Sequence, residues 1–333
     1  MIKAFELHNY GNIADASVND LGRINLIIGP NKSGKTFLLK ALYSAIKTIE
    51  GNGRGRENKT VKELLADKLY WTFQSDPIGN IVKKGKTALN FKMSDEHAME
   101  FSYSFGTSTT KIINSFSNTF PKTDTNSVFI PAKEIVSIRN IIIRNREVDR
   151  EFGFDDTYYD LAKAIVRTTK GKNYSAFATA RQDLNESLGG KLELQDDGTW
   201  VFIGDDKRKY DLALTAEGIK KISILDILLG NRYLTNDSII FIDELEANLH
   251  PSLIMSLLEV IGILAEAGVQ FFIASHSYFV IKDLYLQAHQ KKMPVPVISL
   301  DNGTVAVSDL MQGMPKNSII DESVKLYKKE ILL

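Results

Sequence analysis

The stretch LIIGPNKSGKTFLLKAL, residues 26–42, decides the fold class of this chain. Its first residues belong to an apolar run that is typical of a buried strand, and the apolar residues after the loop recur at helical spacing. The loop between them carries the pattern G-x-x-x-x-G-K-T, the phosphate-binding P-loop. Its backbone N–H groups can surround a phosphate at the positive end of the following helix. We therefore expect a nucleotide site formed by Gly29, Pro30, Asn31, Lys32, Ser33, Gly34, Lys35, Thr36 and Phe37.

Two side chains of this loop carry the chemistry. Lys35 is expected to neutralise charge on the β- and γ-phosphates, and the Thr36 hydroxyl is expected to bind Mg²⁺. The motif leaves the nucleoside open, because kinases, GTPases and ATPases all use it. A glycine loop without a nucleotide is the alternative, and the position between a strand and a helix argues against it.

Composition excludes several classes of function. The 333 residues suffice for one large domain or two, and Lys+Arg equals Asp+Glu at 41 each. A net charge of zero gives no bulk attraction to nucleic acid, although a local basic face stays open. The absence of cysteine excludes disulfides, thiolate metal sites and cysteine nucleophiles. No apolar run approaches the roughly 20 residues of a membrane span, so we expect a cytoplasmic protein without membrane contact.

A second apolar run, SIIFIDELEANLHP at residues 238–251, ends in two carboxylates. Its unbroken apolar part is typical of a strand buried on both faces of a parallel sheet. Beside a P-loop strand, Asp243 would hold Mg²⁺ through water, and Glu244 would polarise the attacking water. The alternative is a pair of acids that are solvated or cap the next helix.

A third apolar run, VQFFIASHS at residues 269–277, stops at His276. The carboxyl ends of strands in an open α/β sheet face the crevice where ligands bind. His276 would there hydrogen-bond a γ-phosphate and sense its loss. The alternative is a structural histidine whose hydrogen bonds are satisfied by the backbone.

The motifs G-P-N-K-S-G-K-T, I-I-F-I-D-E-L-E-A-N-L-H-P and F-F-I-A-S-H-S together resemble those of the ATP-binding cassette ATPases. The chain looks most like the branch that contains SMC proteins, RecF and the OLD-family ATPases. Its opening, I-K-A-F-E-L-H-N-Y-G-N-I, and its closing stretch, M-P-K-N-S-I-I-D-E-S-V-K-L-Y, are also similar to that branch. The resemblance implies a P-loop NTPase head of the α/β class, with an antiparallel β subdomain and a helical insertion.

The resemblance also assigns roles to individual residues. It implies that ATP and Mg²⁺ are bound, with Lys35 at the phosphates and with Thr36 and Asp243 at the magnesium. Glu244 matches the catalytic position and His276 the switch position. The turn after the catalytic acid, with Glu246, Asn248 and His250, matches a dimer contact. Lys32 stands where many relatives carry glycine, so we expect a mildly strained, positive backbone φ angle there.

In this family two heads sandwich two nucleotides, and each P-loop is completed by a signature loop of the other copy. The candidate here is L-T-A-E-G-I-K-K, residues 214–221. If Gly218 takes the glycine position of the serine-x-glycine pattern, Ala216 replaces the serine, and Thr215 would supply a hydroxyl only with a one-residue shift. The alternative is an ordinary helix start with Thr215 as its N-cap.

We divide the chain into an N-terminal head part with the P-loop and a β subdomain (1–131), a helical insertion lobe (132–190) and a C-terminal head part (191–333). Antiparallel strands are expected over 90–105, and a hairpin is expected around residues 196–198. A strand is also expected over 128–131, and a helical region over 158–188.

Two weaker assignments concern polar residues outside these motifs. Gln74, which follows an expected aromatic strand, is a candidate glutamine-loop residue, with a surface glutamine as the alternative. Arg139, Arg146 and Arg150 would share one helical face and could contact nucleic acid phosphates or a protein partner. A solvated helix face is the alternative.

The leading functional hypothesis is an ATPase that dimerises on ATP and drives or gates a separately encoded effector protein. The resemblance alone places it in bacterial genome defence, including antiviral defence, or in DNA maintenance. Long heptad arms of the SMC type are absent, and about 55 residues after His276 are too few for an added nuclease domain. The alternatives are an ATP-binding subunit of a transporter, a small-molecule P-loop kinase, and a nucleotide-gated scaffold with little turnover.

Overall fold

The computed structural model describes residues 1–54, 59–168, 174–301 and 303–332. Its strands are β1 (Ile2–Tyr10), β2 (Ile13–Val18), β3 (Ile24–Ile28), β4 (Ala88–Asp95), β5 (Glu100–Gly106), β6 (Ser115–Asn118), β7 (Val128–Ile130), β8 (Gly190–Leu194), β9 (Trp200–Gly204), β10 (Lys209–Asp211), β11 (Ile239–Ile242), β12 (Gln270–Ser275), β13 (Pro296–Asp301) and β14 (Thr304–Asp309).

The helices are α1 (Lys35–Gly51), α2 (Val61–Phe73), α3 (Arg139–Arg144), α4 (Asp156–Ala164), α5 (Ser175–Leu188), α6 (Glu217–Gly230), α7 (Pro251–Glu266), α8 (Tyr278–Lys291) and α9 (Ser318–Ile331). Short 3₁₀ turns lie at Ile78–Ile81, Leu212–Leu214 and Leu310–Gln312, and one π-helical turn lies at Asn145–Asp149. No helix of the described residues has the length and apolar character that crossing a membrane requires.

A six-stranded sheet with the order β14-β13-β3-β12-β11-β7 forms the centre of the molecule. All its strand pairs are parallel except that of β14 with β13. The carboxyl ends of β3 and β12 are in register, with Ile28 opposite Ser275, and Ile242 of β11 pairs with Ile130 of β7. The loops that follow these strands therefore meet at one edge of the sheet.

The burial pattern explains why the central strands read as unbroken apolar runs. Ile240 and Ile242 of β11 pack into one hydrophobic cluster, which also contains residues of α5, α6, α7 and α8. Phe241, between them, faces a second cluster, which contains residues of α1, α2 and the antiparallel sheet. Because successive strand residues point to opposite faces, a sheet covered on both sides needs an apolar residue at every position.

Two smaller antiparallel sheets flank the central one, with the orders β2-β1-β4-β5-β6 and β10-β9-β8. They confirm the strands expected over 90–105 and the hairpin expected around 196–198. The strand expected at 128–131 is confirmed as β7, parallel to β11. The predicted α/β class with an additional antiparallel sheet is thus confirmed.

The predicted strand before Gln74 is wrong. That segment belongs to α2, whose start is fixed by a capping box between Thr60 and Glu63. Gln74 ends the helix in a left-handed conformation with φ 48°. With its amide oriented to satisfy its neighbours, its oxygen accepts hydrogen bonds from the backbone N–H groups of Gly153 and Asp155. Gln74 therefore connects the end of α2 to the segment before α4.

The helices expected after residue 132 also differ from the prediction. The helical region expected over 158–188 comprises α4 and α5, and residues 169–173 between them lie outside the described residues. Helix α3 has six residues and is followed by the π-helical turn, and Arg150 ends that turn in a left-handed conformation with φ 56°. The prediction that Arg139, Arg146 and Arg150 share one helical face is therefore wrong.

Candidate nucleotide-binding site

The P-loop closes tightly between β3 and α1, and its glycines are required by its geometry. Gly29 has φ 156°, and a Cβ atom there would lie 2.2 Å from the backbone oxygen of Leu300. Gly34 is the N-cap of α1 with φ 107° and has no side chain to occupy the space before the helix. Lys32 has φ 67°, so the positive φ angle expected at this lysine is confirmed.

Three features of this loop fit the phosphates of a nucleotide. The first N–H groups of α1 have no partner within the helix, as at every helix start. The Ser33 hydroxyl oxygen is buried and has no hydrogen-bond partner in the described part of the chain. Among the described residues, the Lys35 ammonium is bound only to the carbonyl oxygens of Gly29 at 2.7 Å and Pro30 at 3.0 Å. An anion would satisfy all three groups.

The charge of Lys35 depends on opposing effects. Its burial lowers the pKa of the ammonium, and the nearby carboxylates of Asp243, Glu244 and Glu246 raise it in part.

Phe37, the last residue assigned to the nucleotide site, uses its ring for packing: the ring centroid lies 4.7 Å from that of Phe73. This ring anchors the first turn of α1 on α2.

Thr36 and Asp243, which are 207 positions apart in the sequence, meet at the edge of the sheet. The Thr36 hydroxyl donates to the Asp243 carboxylate at 2.8 and 3.1 Å. Burial raises the pKa of Asp243, and the hydrogen bond from Thr36 opposes the increase. Mg²⁺ prefers oxygen ligands and keeps only one or two from carboxylates when substrate phosphates supply others. The pair fits such a site, and no cluster of three or more His, Cys, Asp or Glu suited to a metal occurs among the described residues.

Glu244 follows directly and has an unusual backbone conformation. Its φ angle is 47°, in the left-handed region that residues other than glycine rarely adopt. Its carboxylate accepts no hydrogen bond from another described side chain, so it is free to bind a water molecule. Its backbone carbonyl accepts a hydrogen bond of 2.6 Å from the ammonium of Lys221.

His276 lies after β12 at the same edge and is held by Glu246. One carboxylate oxygen of Glu246 accepts from the His276 backbone N–H at 2.8 Å and lies 3.1 Å from Nδ1 of the ring. The other oxygen accepts from the Ser275 hydroxyl at 2.9 Å. The imidazole remains 48% exposed. Glu246, assigned from the sequence to a dimer contact, therefore also fixes the loop of His276 within its own chain.

Helix α6 begins beside this turn. Its N-cap is Ala216, without a side-chain hydrogen bond, so Thr215 is not the N-cap. Thr215 is buried, and its hydroxyl donates to the carbonyl of Asp211 at 3.2 Å. A Cβ atom at Gly218 would lie 2.3 Å from the carbonyl oxygen of Asn248. Gly218 thus has a packing function within the chain, which lets α6 approach the turn after β11.

Lys221 was not expected from the sequence to belong to this site. It is 4% exposed, and its ammonium donates to the carbonyls of Glu244 at 2.6 Å and Asp243 at 3.4 Å. Burial lowers its pKa from 10.5 to about 8, against the effect of Glu246 and the other two acids. The only signal in the sequence is a lysine beside the apolar run of α6.

Two of the three arginines assigned to a partner surface, Arg139 and Arg146, are instead used for packing. The Arg146 guanidinium lies 3.3 Å from the centre of the Trp71 ring, and its Nε lies 3.3 Å from a carboxylate oxygen of Asp156. The Arg139 Nε donates to the carbonyl of Ala162 at 2.9 Å. These contacts fix α3 and the π-helical turn on α2 and α4. Arg150 is exposed.

A family model described as "AAA domain, putative AbiEii toxin, Type IV TA system" matches residues 24–282. No curated protein matches the chain. Among solved structures, the Smc head bound to the C-winged helix domain of ScpA has 11% identity and a TM-score of 0.56, over 93% of this chain and 99% of that chain.

Two further solved structures are similar. The Smc head with an extended coiled coil, bound to the C-terminal domain of ScpA and derived from Pyrococcus furiosus, has 10% identity and a TM-score of 0.51 over 98% of each chain. RecF in complex with ATP has 15% identity and a TM-score of 0.43, over 92% of this chain and 99% of that chain. The two Smc structures show that the chain has the fold of an Smc ATPase head.

Proposed function

The chain belongs to the AAA-domain family described as a putative AbiEii toxin of a Type IV TA system, and we propose that it binds ATP with Mg²⁺, hydrolyses it and dimerises in the ATP-bound state. The observation that carries this proposal is the meeting of Lys35, Thr36, Asp243 and Glu244 at the carboxyl edge of one parallel sheet. A protein that bound ATP without hydrolysing it would not need the free carboxylate of Glu244 beside Thr36 and Asp243.

Each residue has a separate task in the proposed reaction. The loop N–H groups and Lys35 bind the phosphates, and Thr36 and Asp243 hold Mg²⁺, which when bound neutralises charge on the β- and γ-phosphates. Glu244 orients the attacking water and accepts its proton. His276 contacts the γ-phosphate, and Glu246 holds the histidine loop in place for this contact.

The proposed dimer places the start of α6 against the P-loop of the second copy. Ala216 and Glu217 are exposed there, and the first N–H groups of the helix are available to an anion. Thr215 contributes little in this arrangement, because its hydroxyl already donates within the chain. The trans contact would therefore be made by the backbone, including the N–H of Gly218.

We further propose that closure of the dimer drives a separately encoded effector protein in bacterial genome defence or DNA maintenance. Two observations support a protein partner: the family description names a toxin–antitoxin system, and the similar Smc heads were solved bound to ScpA domains. Nucleic acid is the second class of partner to be tested.

One observation favours the scaffold alternative, in which ATP is bound with little turnover. If Gly218 takes the glycine position of the signature pattern, Ala216 stands where the resembling family has serine, and a trans hydroxyl contact to the γ-phosphate would be missing. The scaffold hypothesis predicts that the protein forms dimers when ATP is added but releases almost no phosphate.

The test combines nucleotide titration with measurement of phosphate release. Lys35→Ala should abolish ATP binding, because it removes the cation that faces the phosphates. Glu244→Gln should bind ATP normally and hydrolyse it very slowly, because the geometry is kept while the base is lost. Lys92→Ala, at a half-buried lysine of the antiparallel sheet, is the matched control and should behave like the wild type. Equal phosphate release by Glu244→Gln and the wild type would remove Glu244 from catalysis, and tight binding without release by the wild type would support the scaffold.

A further inference from the structure

Lys221 is a buried cation that none of the proposed steps uses. Lysine is almost never fully buried unless it is paired, yet Lys221 is 4% exposed. Among the described residues, no carboxylate oxygen lies within ion-pair distance of its ammonium. Its partners are two backbone carbonyls, those of Glu244 and Asp243. A buried charge held only by carbonyls opposes stability, which suggests that it serves another purpose.

The residue that it holds is strained. Glu244 has a left-handed backbone with φ 47°, a conformation that persists only where the surrounding structure imposes it. In this conformation the Glu244 carbonyl faces α6 and accepts the short hydrogen bond from Lys221 at 2.6 Å. Without that donor, the peptide would be free to rotate toward a more common backbone conformation, and the side chain would move with it.

The same helix touches the far end of this turn. One turn before Lys221, the Cα atom of Gly218 packs against the carbonyl of Asn248, which also has a left-handed backbone with φ 63°. Helix α6 therefore contacts both ends of the turn 243–248. Because both contacts are close and involve backbone atoms, a displacement of the helix would displace the turn.

We propose that Lys221 is a positioning residue that fixes the Glu244 backbone for hydrolysis and transmits the position of α6 to the catalytic turn. This proposal rests on the proposed catalytic role of Glu244. Since the start of α6 is the segment expected to meet the second copy, Lys221 links dimer closure to the orientation of the base.

The experiment measures the Kd for ATP and the kcat of Lys221→Met in the full chain. Methionine keeps the length and apolar stem of the side chain and removes its donors. We expect kcat to fall at least about tenfold, while the Kd for ATP stays within about twofold. Lys220→Met is the matched control, because Lys220 is equally buried on the same helix but binds Ser137 and Glu217 instead. Its kcat should stay within about twofold of the wild-type value.

A double variant distinguishes positioning from general loss of structure. If Lys221 acts through Glu244, adding Lys221→Met to Glu244→Gln should not lower the residual hydrolysis further. Two losses that multiply would overturn the proposal, as would a Lys221→Met protein with wild-type kcat. If Lys221→Met does not fold, Lys221→Leu decides, since leucine also lacks a hydrogen-bond donor. A lowered kcat at unchanged Kd supports the proposal, and a wild-type kcat overturns it.

These outcomes separate the proposal from the function on which it rests. A wild-type protein that hydrolyses no ATP, or a Glu244→Gln variant that hydrolyses normally, would refute the proposed function. A wild type that depends on Glu244 but not on Lys221 would refute the positioning role alone.

Discussion

Leu214 offers a direct test of the proposed dimer. It lies just before α6, at the end of a 3₁₀ turn, and is 80% exposed. An exposed leucine beside a segment that is expected to meet a second copy should be covered when the copies join. Substitution by aspartate should therefore weaken the ATP-driven dimer, while leaving the fold and the binding of ATP to the monomer unchanged.

The expected loss of dimer stability follows from the exposed surface of the Leu214 side chain. Burying a whole leucine side chain contributes about 1.5–3 kcal/mol, so the exposed part at Leu214 would contribute about 1–2 kcal/mol in each copy. A symmetric dimer buries the same residue twice, which raises the total to about 2–4 kcal/mol. The dimer Kd should thus increase roughly 30-fold to 1000-fold. A carboxylate desolvated at the interface would add to this effect.

The assay is light scattering or sedimentation with ATP and Mg²⁺, in the Glu244→Gln background that retains bound ATP. Ile112→Asp is the matched control, because Ile112 is 77% exposed but lies in the loop between β5 and β6, which belong to a different sheet. It should dimerise like the parent. If Leu214→Asp also dimerises like the parent, the start of α6 is not in the interface, and the proposed trans contact of Gly218 is refuted.

Three further predictions concern stability. Gly218→Ala should lower the Tm even without ATP, because a Cβ atom would lie 2.3 Å from a backbone oxygen, an overlap that typically costs about 1–3 kcal/mol; an unchanged Tm would contradict this packing. Lys221 should make the free energy of unfolding depend on pH, because its pKa falls from 10.5 to about 8 on folding. Below pH 8 the buried charge lowers the stability of the folded state. This loss of stability becomes smaller as the pH rises from 8 toward 10.5. Without nucleotide, the wild type should therefore gain roughly 2–3 kcal/mol relative to Lys221→Met between pH 7 and pH 10, and parallel denaturant-derived stability curves would refute the shift. Arg146→Glu should lose about 3–5 kcal/mol of stability, since its carboxylate partner is buried, whereas Arg150→Glu should leave the Tm unchanged; equal Tm values would show that Arg146 is not a packing residue.

The central sheet and its ligand edge could be predicted from the sequence for a physical reason. Strands covered on both faces must be apolar at each position, so β3, β11 and β12 stand out as short apolar runs. The polar residues that follow them lie at strand ends, and parallel strands bring these ends together. The contact between Thr36 and Asp243, which spans 207 positions, follows from this rule without any knowledge of the loops.

The contacts that hold the site could not be predicted in this way. Lys221 binds backbone carbonyls, and Glu246 binds the backbone N–H of His276 besides the Ser275 hydroxyl and the His276 ring; a carbonyl or an N–H has no signature in the sequence. Gly218 looked like part of a nucleotide-contacting motif, whereas its position is already required by the Asn248 carbonyl. Variants at Gly218 therefore cannot separate dimerisation from packing, and Leu214 is the better position for that test.

The prediction of a shared arginine face was wrong because it assumed a long, regular helix. Spacings of seven and four place residues on one face only if the helix is long and regular, and α3 ends after six residues. The planar Arg146 side chain then stacks on Trp71 and pairs with Asp156, so its charge is not available to a partner. A charge reversal there would test folding rather than recognition.

The contacts of α4 show how a partner of the proposed insertion 132–190 could influence ATP turnover. Asp155, the N-cap of α4, accepts a hydrogen bond of 2.6 Å from Lys40 of α1, and Asp160 accepts one of 2.6 Å from Tyr43. Both donors lie on the helix that begins at the P-loop. Burial, with the charges of Asp155 and the two acids after β11, raises the pKa of Tyr158 to about 12. A partner that displaced α4 would have to break these partly buried hydrogen bonds to charged groups, so its binding energy could act on α1 without a direct contact to the nucleotide.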